Sequence, residues 1–175
     1  MTPLNVRALP IALTLALILT IPQTGCVGYR LGSNLPANIR KVFVPVFVND
    51  TGEPGLENPT TSAAIAEIQK DGSLKVAARE EADCILEVTL RSYKMNPLRY
   101  RRDQTTTAQE FRLDLTADFV LKKLPGNEIL SQGKGITGFT DVQALVDLPS
   151  ARKVALPATA TDLAHKIIRE ITEYW

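Results

Sequence analysis

Two stretches of strict alternation constrain this chain more than any other feature. Phe111, Leu113, Leu115, Ala117, Phe119 and Leu121 fall on one side of a run whose other side is Arg112, Asp114, Thr116, Asp118 and Lys122. Between Ala82 and Tyr93 the pattern recurs. Ala82, Cys84, Leu86, Val88 and Leu90 oppose Asp83, Glu87, Thr89 and Arg91, broken only by Ile85. A period of two marks a strand with one buried face. A sheet with one apolar face needs a second layer to cover it.

Two segments with helical spacing supply that layer. Asn58 is placed to cap the first, with Pro59 in its first turn, Ala64, Ile65 and Ile68 on one face, and Gly72 as its stop. The second is Ala151–Trp175, where Leu156, Ala160, Leu163, Ala164, Ile167, Ile168 and Ile171 recur at helical spacing. Pro157 sits near its start, at the first turn or at a kink. Each fully buried Leu or Ile contributes about 1.5–3 kcal/mol before entropy, so this helix should clamp the sheet.

The remaining strands are weaker. Ile39–Val48, IRKVFVPVFV, sets Val42, Val44, Val46 and Val48 against Phe43, Pro45 and Phe47. That implies cover on both faces, with an edge or bulge at Pro45, which has no N–H to donate. Leu74–Ala77 is expected as a short strand. Pro125-Gly126 fits the centre of a type II turn, followed by a returning strand over Glu128–Thr137 that Gly133 and Gly135 weaken. Gly138–Pro149 reads as a loop. The expected fold is α+β: a mainly antiparallel four-stranded sheet with two α-helices packed on one face, in a single domain over residues 39–175.

The front of the chain is of another kind. Arg7 precedes an apolar run from Ala8 to Ile21, which is shorter than the ~20 residues that span a bilayer. Pro22, Gln23, Thr24, Gly25 and Cys26 follow. A turn-forming Pro, small residues and then Cys resemble a lipoprotein signal, with Gln23 standing where an aliphatic residue is usual. The reading is a leader over residues 1–25 cleaved between Gly25 and Cys26, and a lipidated tether over 26–38. Cys26 would carry a diacylglyceryl group and an N-acyl chain, such as palmitate. At roughly 0.8 kcal/mol per buried methylene, two or more chains give near-permanent membrane attachment. Beyond that covalent lipid no cofactor is expected.

Chemistry is sparse in the rest. With Cys26 acylated, Cys84 has no disulfide partner, and its place in the alternation makes it an inert core thiol. The only His is His165, at the polar edge of the final helix, so no metal cluster forms around it. Glu80, Glu81 and Asp83 sit at a turn leading into a strand and read as a solvated face. Asn49–Glu57 joins a strand to a helix, but it lacks a phosphate-loop pattern and carries Asp50, Glu53 and Glu57. No enzyme is expected. The formal net charge of +1 excludes a global field for nucleic acid.

One charge cluster stands out. Arg91, Lys94, Arg99, Arg101 and Arg102 interleave with Tyr93, Met95, Leu98 and Tyr100, at the end of a strand and its connection to the next. Guanidinium forks suit phosphate oxygens, and the apolar neighbours suit hydrocarbon. The candidate ligand is a polyanionic lipid headgroup; a charged hairpin tip that resists aggregation is the alternative.

CxxYRLG at the Cys, then KVFVPVFVNDTGEPGLENPTT, ADCILEVTLRSY and EFRLDLTADFVL, with a final helix ending in Tyr174-Trp175, resemble the lipopolysaccharide-assembly lipoproteins, the LptE family. The resemblance spans most of residues 26–175. It implies a non-enzymatic protein that plugs and helps assemble the β-barrel inserting lipopolysaccharide into the outer leaflet, one copy per barrel, in contact with lipopolysaccharide. It also implies two helices against a four-stranded sheet. Val27 and Gly28 after the Cys lack the Asp of inner-membrane retention, which favours an anchor in the inner leaflet of the outer membrane, facing the periplasm. VFVPVFVNDT is also similar to periplasmic lipoproteins that activate peptidoglycan synthases or form secretion-pore oligomers.

Overall fold

The computed structural model describes residues 35–36, 38–100, 108–143 and 148–173. The leader, Gly25, Cys26, most of the tether, Arg101, Arg102 and Tyr174-Trp175 lie outside the described residues.

The elements run β1 (Lys41–Phe43), β2 (Val48–Asn49), α1 (Glu57–Asp71), β3 (Lys75–Val76), a single 3-10 turn (Arg79–Glu81), β4 (Cys84–Tyr100), β5 (Ala108–Lys123), β6 (Ile129–Gln143) and α2 (Leu148–Glu173). The fold is α+β with two helices. The sheet, however, has six strands in the order β3-β1-β4-β5-β6, with β2 also on β4. It is mixed rather than mainly antiparallel and four-stranded. β4, β5 and β6 are antiparallel, while β1, β2 and β3 join in parallel. These short strands fall where strands were expected, over Ile39–Val48 and Leu74–Ala77; what differs is their parallel direction and the division of the first into two.

The expected single strand over Ile39–Val48 is therefore two strands. Phe43 pairs with Ile85 and Val48 with Thr89, so the first strand carries one residue more than β4 between these pairs. The extra residue reverses the facing. Val42, Val44 and Phe47 are buried, whereas Val46 and Val48 are 60% and 56% exposed. Pro45 sits inside this interruption, as its missing donor suggested. The Phe47 N–H, left without a strand partner, donates to Thr61 Oγ1 of α1 at 3.0 Å.

β4 also shifts phase. Leu90 pairs with Ala117 but Ser92 with Thr116, and the irregularity brings Tyr93 and Met95 opposite Leu115 and Leu113. The strand thus continues to Tyr100, well past the expected end of alternation.

β6 runs through Gln143, so residues 138–143 are strand, not loop. Its glycines explain the difference. A Cβ on Gly138 would stand 2.4 Å from the Leu163 backbone nitrogen, and one on Gly133 would stand 2.4 Å from the Phe119 ring. Both residues permit close approach rather than breaking the strand. Gly135, with φ +67, lies in a bulge between the pairs Ala117–Ile136 and Phe119–Gly133.

The β5–β6 connection is also not the expected type II turn. Leu124–Pro125 is cis, Gly126 and Asn127 both have positive φ, and Lys123 donates to the Glu128 carbonyl at 2.8 Å.

α1 begins without a side-chain cap, with Leu56 rather than Asn58 at the N-cap, and ends as expected at left-handed Gly72, which donates to the Ile68 carbonyl at 3.1 Å. α2 begins earlier than expected, which places Pro157 inside the helix rather than in its first turn.

One core joins the layers. Leu86, Val88, Leu90, Leu115, Ala117, Phe119 and Leu121 from the sheet meet Ala64, Ile68, Leu163, Ala164, Ile167 and Ile171 from the helices. The free edge of β6 is blunted by α2. Phe139 N–H donates to Asp162 Oδ2 at 2.9 Å, and Lys166 Nζ donates to the Thr137 carbonyl at 2.8 Å. These side chains occupy backbone groups that could otherwise recruit another strand.

Candidate functional site

Of the basic cluster, Arg91, Lys94 and Arg99 lie within β4, Arg99 next to its last residue; Arg101 and Arg102 lie outside the described residues. Two of the three are already paired. Arg91 Nη1 donates to Asp50 Oδ2 and Arg91 Nε to Asp118 Oδ2, both at 2.8 Å. Arg99 Nε lies 3.6 Å from Glu110 Oε2. Lys94 is paired in register with Asp114 on β5, but Asn96 Nδ2 reaches the Asp114 carboxylate at 2.7 Å. Lys94 makes no ion pair among the described residues.

Arg91 is therefore a tie between β4, the loop after β2, and the β6 bulge. Asp118 Oδ1 accepts the Gly135 N–H at 2.9 Å while Asp118 Oδ2 holds Arg91. These two contacts, the backbone N–H first, keep the Asp118 carboxyl below the usual carboxylate range.

The same pattern covers the rest of the sheet face opposite the helices. Arg112 grips Asp141 through two parallel bonds of 2.7 and 2.9 Å, Lys122 meets Glu87 at 2.5 Å, and the Thr116 and Thr137 hydroxyls bond at 2.9 Å. Arg112 also stands 4.5 Å from the centre of the half-exposed Phe139 ring. The result is a face on which the described charges are largely paired. Its described cations offer a phosphate few unspent donors.

The other candidates resolve into structure. Asp83 does more than face solvent. Its Oδ2 accepts the Arg40 and Lys41 N–H groups at 2.9 and 2.8 Å, which hold its carboxyl below the ordinary value. Glu81 pairs with Lys41 at 3.3 Å. Cys84 is fully buried, and burial, with Asp83 nearby, pushes its thiol up to about 12. His165 stands at the polar edge, as expected, and its Nδ1 lies 2.8 Å from Glu67 Oε1. The loop before α1 closes on itself. Asn49 Nδ2 donates to the Glu53 carbonyl at 2.8 Å and to Glu57 Oε2 at 3.0 Å, filling the helix start. Among the described residues no group of His, Cys, Asp and Glu could hold a metal ion, and no helix is long and apolar enough to cross a membrane.

Sequence reasoning missed one constellation. Arg152, in the second turn of α2, donates to Glu53 Oε1 at 2.5 Å, and its guanidinium lies 5.0 Å from the centre of the Tyr93 ring. The signal was present: the helix macrodipole favours acids near a helix start, and here an Arg stands instead.

A family profile described as LptE, lipopolysaccharide-assembly, matches residues 39–171. No curated protein matches the chain significantly. Among solved structures, a Xanthomonas campestris protein is 11% identical over 79% of this chain and 88% of its own, with a TM-score of 0.54. Uncharacterized lipoprotein B from Nitrosomonas europaea is 14% identical over 77% and 84%, at 0.47. The rare lipoprotein B from Shewanella oneidensis is 16% identical over 74% and 92%, at 0.45. Of these three, the first supports the fold.

Proposed function

This chain belongs to the LptE family of lipopolysaccharide-assembly proteins, a non-enzymatic component of lipopolysaccharide transport; on that premise we propose that it plugs, and helps assemble, the outer-membrane β-barrel that delivers lipopolysaccharide to the cell surface. The match over residues 39–171, nearly the whole folded body, carries this reading. The charge-paired open sheet face is consistent with it, because the lumen of a transmembrane barrel is polar. Attachment is through lipid on Cys26, in the inner leaflet of the outer membrane.

Direct contact with lipopolysaccharide is assigned to Lys94 and Arg99 of β4 together with Arg101 and Arg102, which follow in the sequence. Arg91 belongs to that group by sequence, but its two carboxylate partners make it a structural tie. Neutralising Arg99, Arg101 and Arg102 together should weaken lipopolysaccharide binding and flatten its salt dependence. Unchanged binding removes the assignment.

The wider reading is tested by pull-down of the full-length protein from native membranes. A β-barrel recovered at one-to-one supports it. Recovery of a peptidoglycan synthase, or of a homo-oligomer without a barrel, supports the other lipoprotein class.

A further inference from the structure

β4 has two edges, and one of them is open along its outer half. β5 pairs with β4 from Cys84 to Tyr100, whereas β1 and β2 meet the opposite edge only at Cys84, Ile85, Thr89 and Leu90. The last bond on that edge runs from the Asp50 N–H to the Leu90 carbonyl at 2.9 Å, after which the chain leaves toward α1. Past Leu90 no strand pairs with this edge among the described residues.

The register fixes which backbone groups are left there. Leu90 turns its carbonyl away from β5, so its partner Ala117 faces away from β4. Leu115, Leu113 and Phe111 share the facing of Ala117, and they pair with Tyr93, Met95 and Pro97. The backbone groups of these three β4 residues therefore point to the open side. Pro97 has no N–H, which suits a position that donates nothing to the ladder, and it ends the run of donors. The irregularities on either side of Arg99 limit pairing further out. What remains are the N–H groups of Tyr93 and Met95 and the carbonyls of Tyr93, Met95 and Pro97, which have no hydrogen-bond partner among the described residues.

We propose that this edge takes an extended segment of a partner polypeptide, which adds a strand to β4 in the line that β2 vacates. The neighbouring side chains define its chemistry. Tyr93 and Met95 are in register with the fully buried Leu115 and Leu113 and share their face of the sheet, so the residues beside them are apolar. Lys94 lies on the other face, exposed and without an ion pair among the described residues, so the residue beside it is acidic. The segment is thus apolar, acidic, apolar. Main-chain bonds hold it and Lys94 selects it. A lipid can meet Lys94 but brings no row of peptide donors and acceptors to the edge. The site goes beyond the lipopolysaccharide-assembly reading and does not depend on it.

The full-length protein in a non-ionic detergent is titrated with a capped peptide of alternating valine and glutamate, and amide hydrogen exchange is followed residue by residue. Binding should slow exchange at Tyr93 and Met95 and leave Lys94 and Asn96, whose amides face β5, unchanged. The same peptide N-methylated at every residue keeps the side chains but loses the donors, and should not bind. A peptide with lysine in place of glutamate should bind about fivefold more weakly, as expected for one exposed ion pair, and Lys94→Glu should reverse that order. Met95→Pro removes an open-side donor without breaking the β4–β5 ladder; it should abolish binding while the melting temperature stays nearly unchanged. No binding at millimolar peptide, binding without slowed exchange at Tyr93 and Met95, binding of the N-methylated peptide, or an unchanged order in Lys94→Glu overturns the site. Slowed exchange at Tyr93 and Met95 that follows protein concentration without peptide gives the edge to a second copy of this chain, and overturns it too.

Discussion

Glu67 is 7% exposed yet carries a charge, because His165 Nδ1 and Lys70 Nζ hold its carboxylate at 2.8 and 3.4 Å. The bond from His165 is the main reason its carboxyl sits below the ordinary value of 4.5. A folded value below the unfolded one adds stability that is fully present above the unfolded value and lost as pH falls through the folded one. Glu67→Gln should therefore cost roughly 1–3 kcal/mol at neutral pH. Its melting temperature should approach that of the parent protein as pH falls below the usual carboxylate range; a gap constant with pH would rule this out. Cys84 gives a second outcome. With its thiol pushed up to about 12 by burial, it should resist Ellman's reagent at pH 8 in the folded protein and react promptly in denaturant. Fast reaction in the native state would place it outside the core.

At the scale of elements, two single contacts test how α1 and α2 meet the rest of the fold. Gly138→Ala drives a methyl into the Leu163 backbone, which cannot rotate away, and should lower stability by about 1–3 kcal/mol in denaturant unfolding. Thr61→Val leaves the Phe47 N–H buried without an acceptor and should cost about 1–3 kcal/mol, whereas Thr61→Ser, which keeps the oxygen, should cost less. Equal losses would mean that packing, not the bond, matters there. These positions also show what the sequence can convey. β4, β5 and α2 were legible because long alternation and long helical spacing average over local exceptions. The phase reversals at Pro45 and Arg91 were not, because each is one extra residue whose effect exists only against a partner strand. Gly138 reads as a breaker until Leu163 lies on it. The basic cluster was legible as charge but not as function, since Asp50 and Asp118, distant in the chain, neutralise Arg91. Arg152 and Glu53 meet across nearly the whole domain, and no local pattern announces that.

For the whole molecule, the two faces of the sheet divide the work. One face packs the helices and forms the core. The other is a lattice of ion pairs, each worth little singly at an exposed surface, so Arg91→Ala should change stability by about 1 kcal/mol or less. A protein built this way buries one sheet face in its core and leaves the other as a charge-paired polar surface. The most direct test is depletion of the protein in its native host, with lipopolysaccharide at the cell surface and folded barrel in the outer membrane quantified together. The account expects both to fall while peptidoglycan synthesis is unaffected at first. Normal lipopolysaccharide and barrel levels, with an early defect in cell-wall synthesis or secretion, would contradict it.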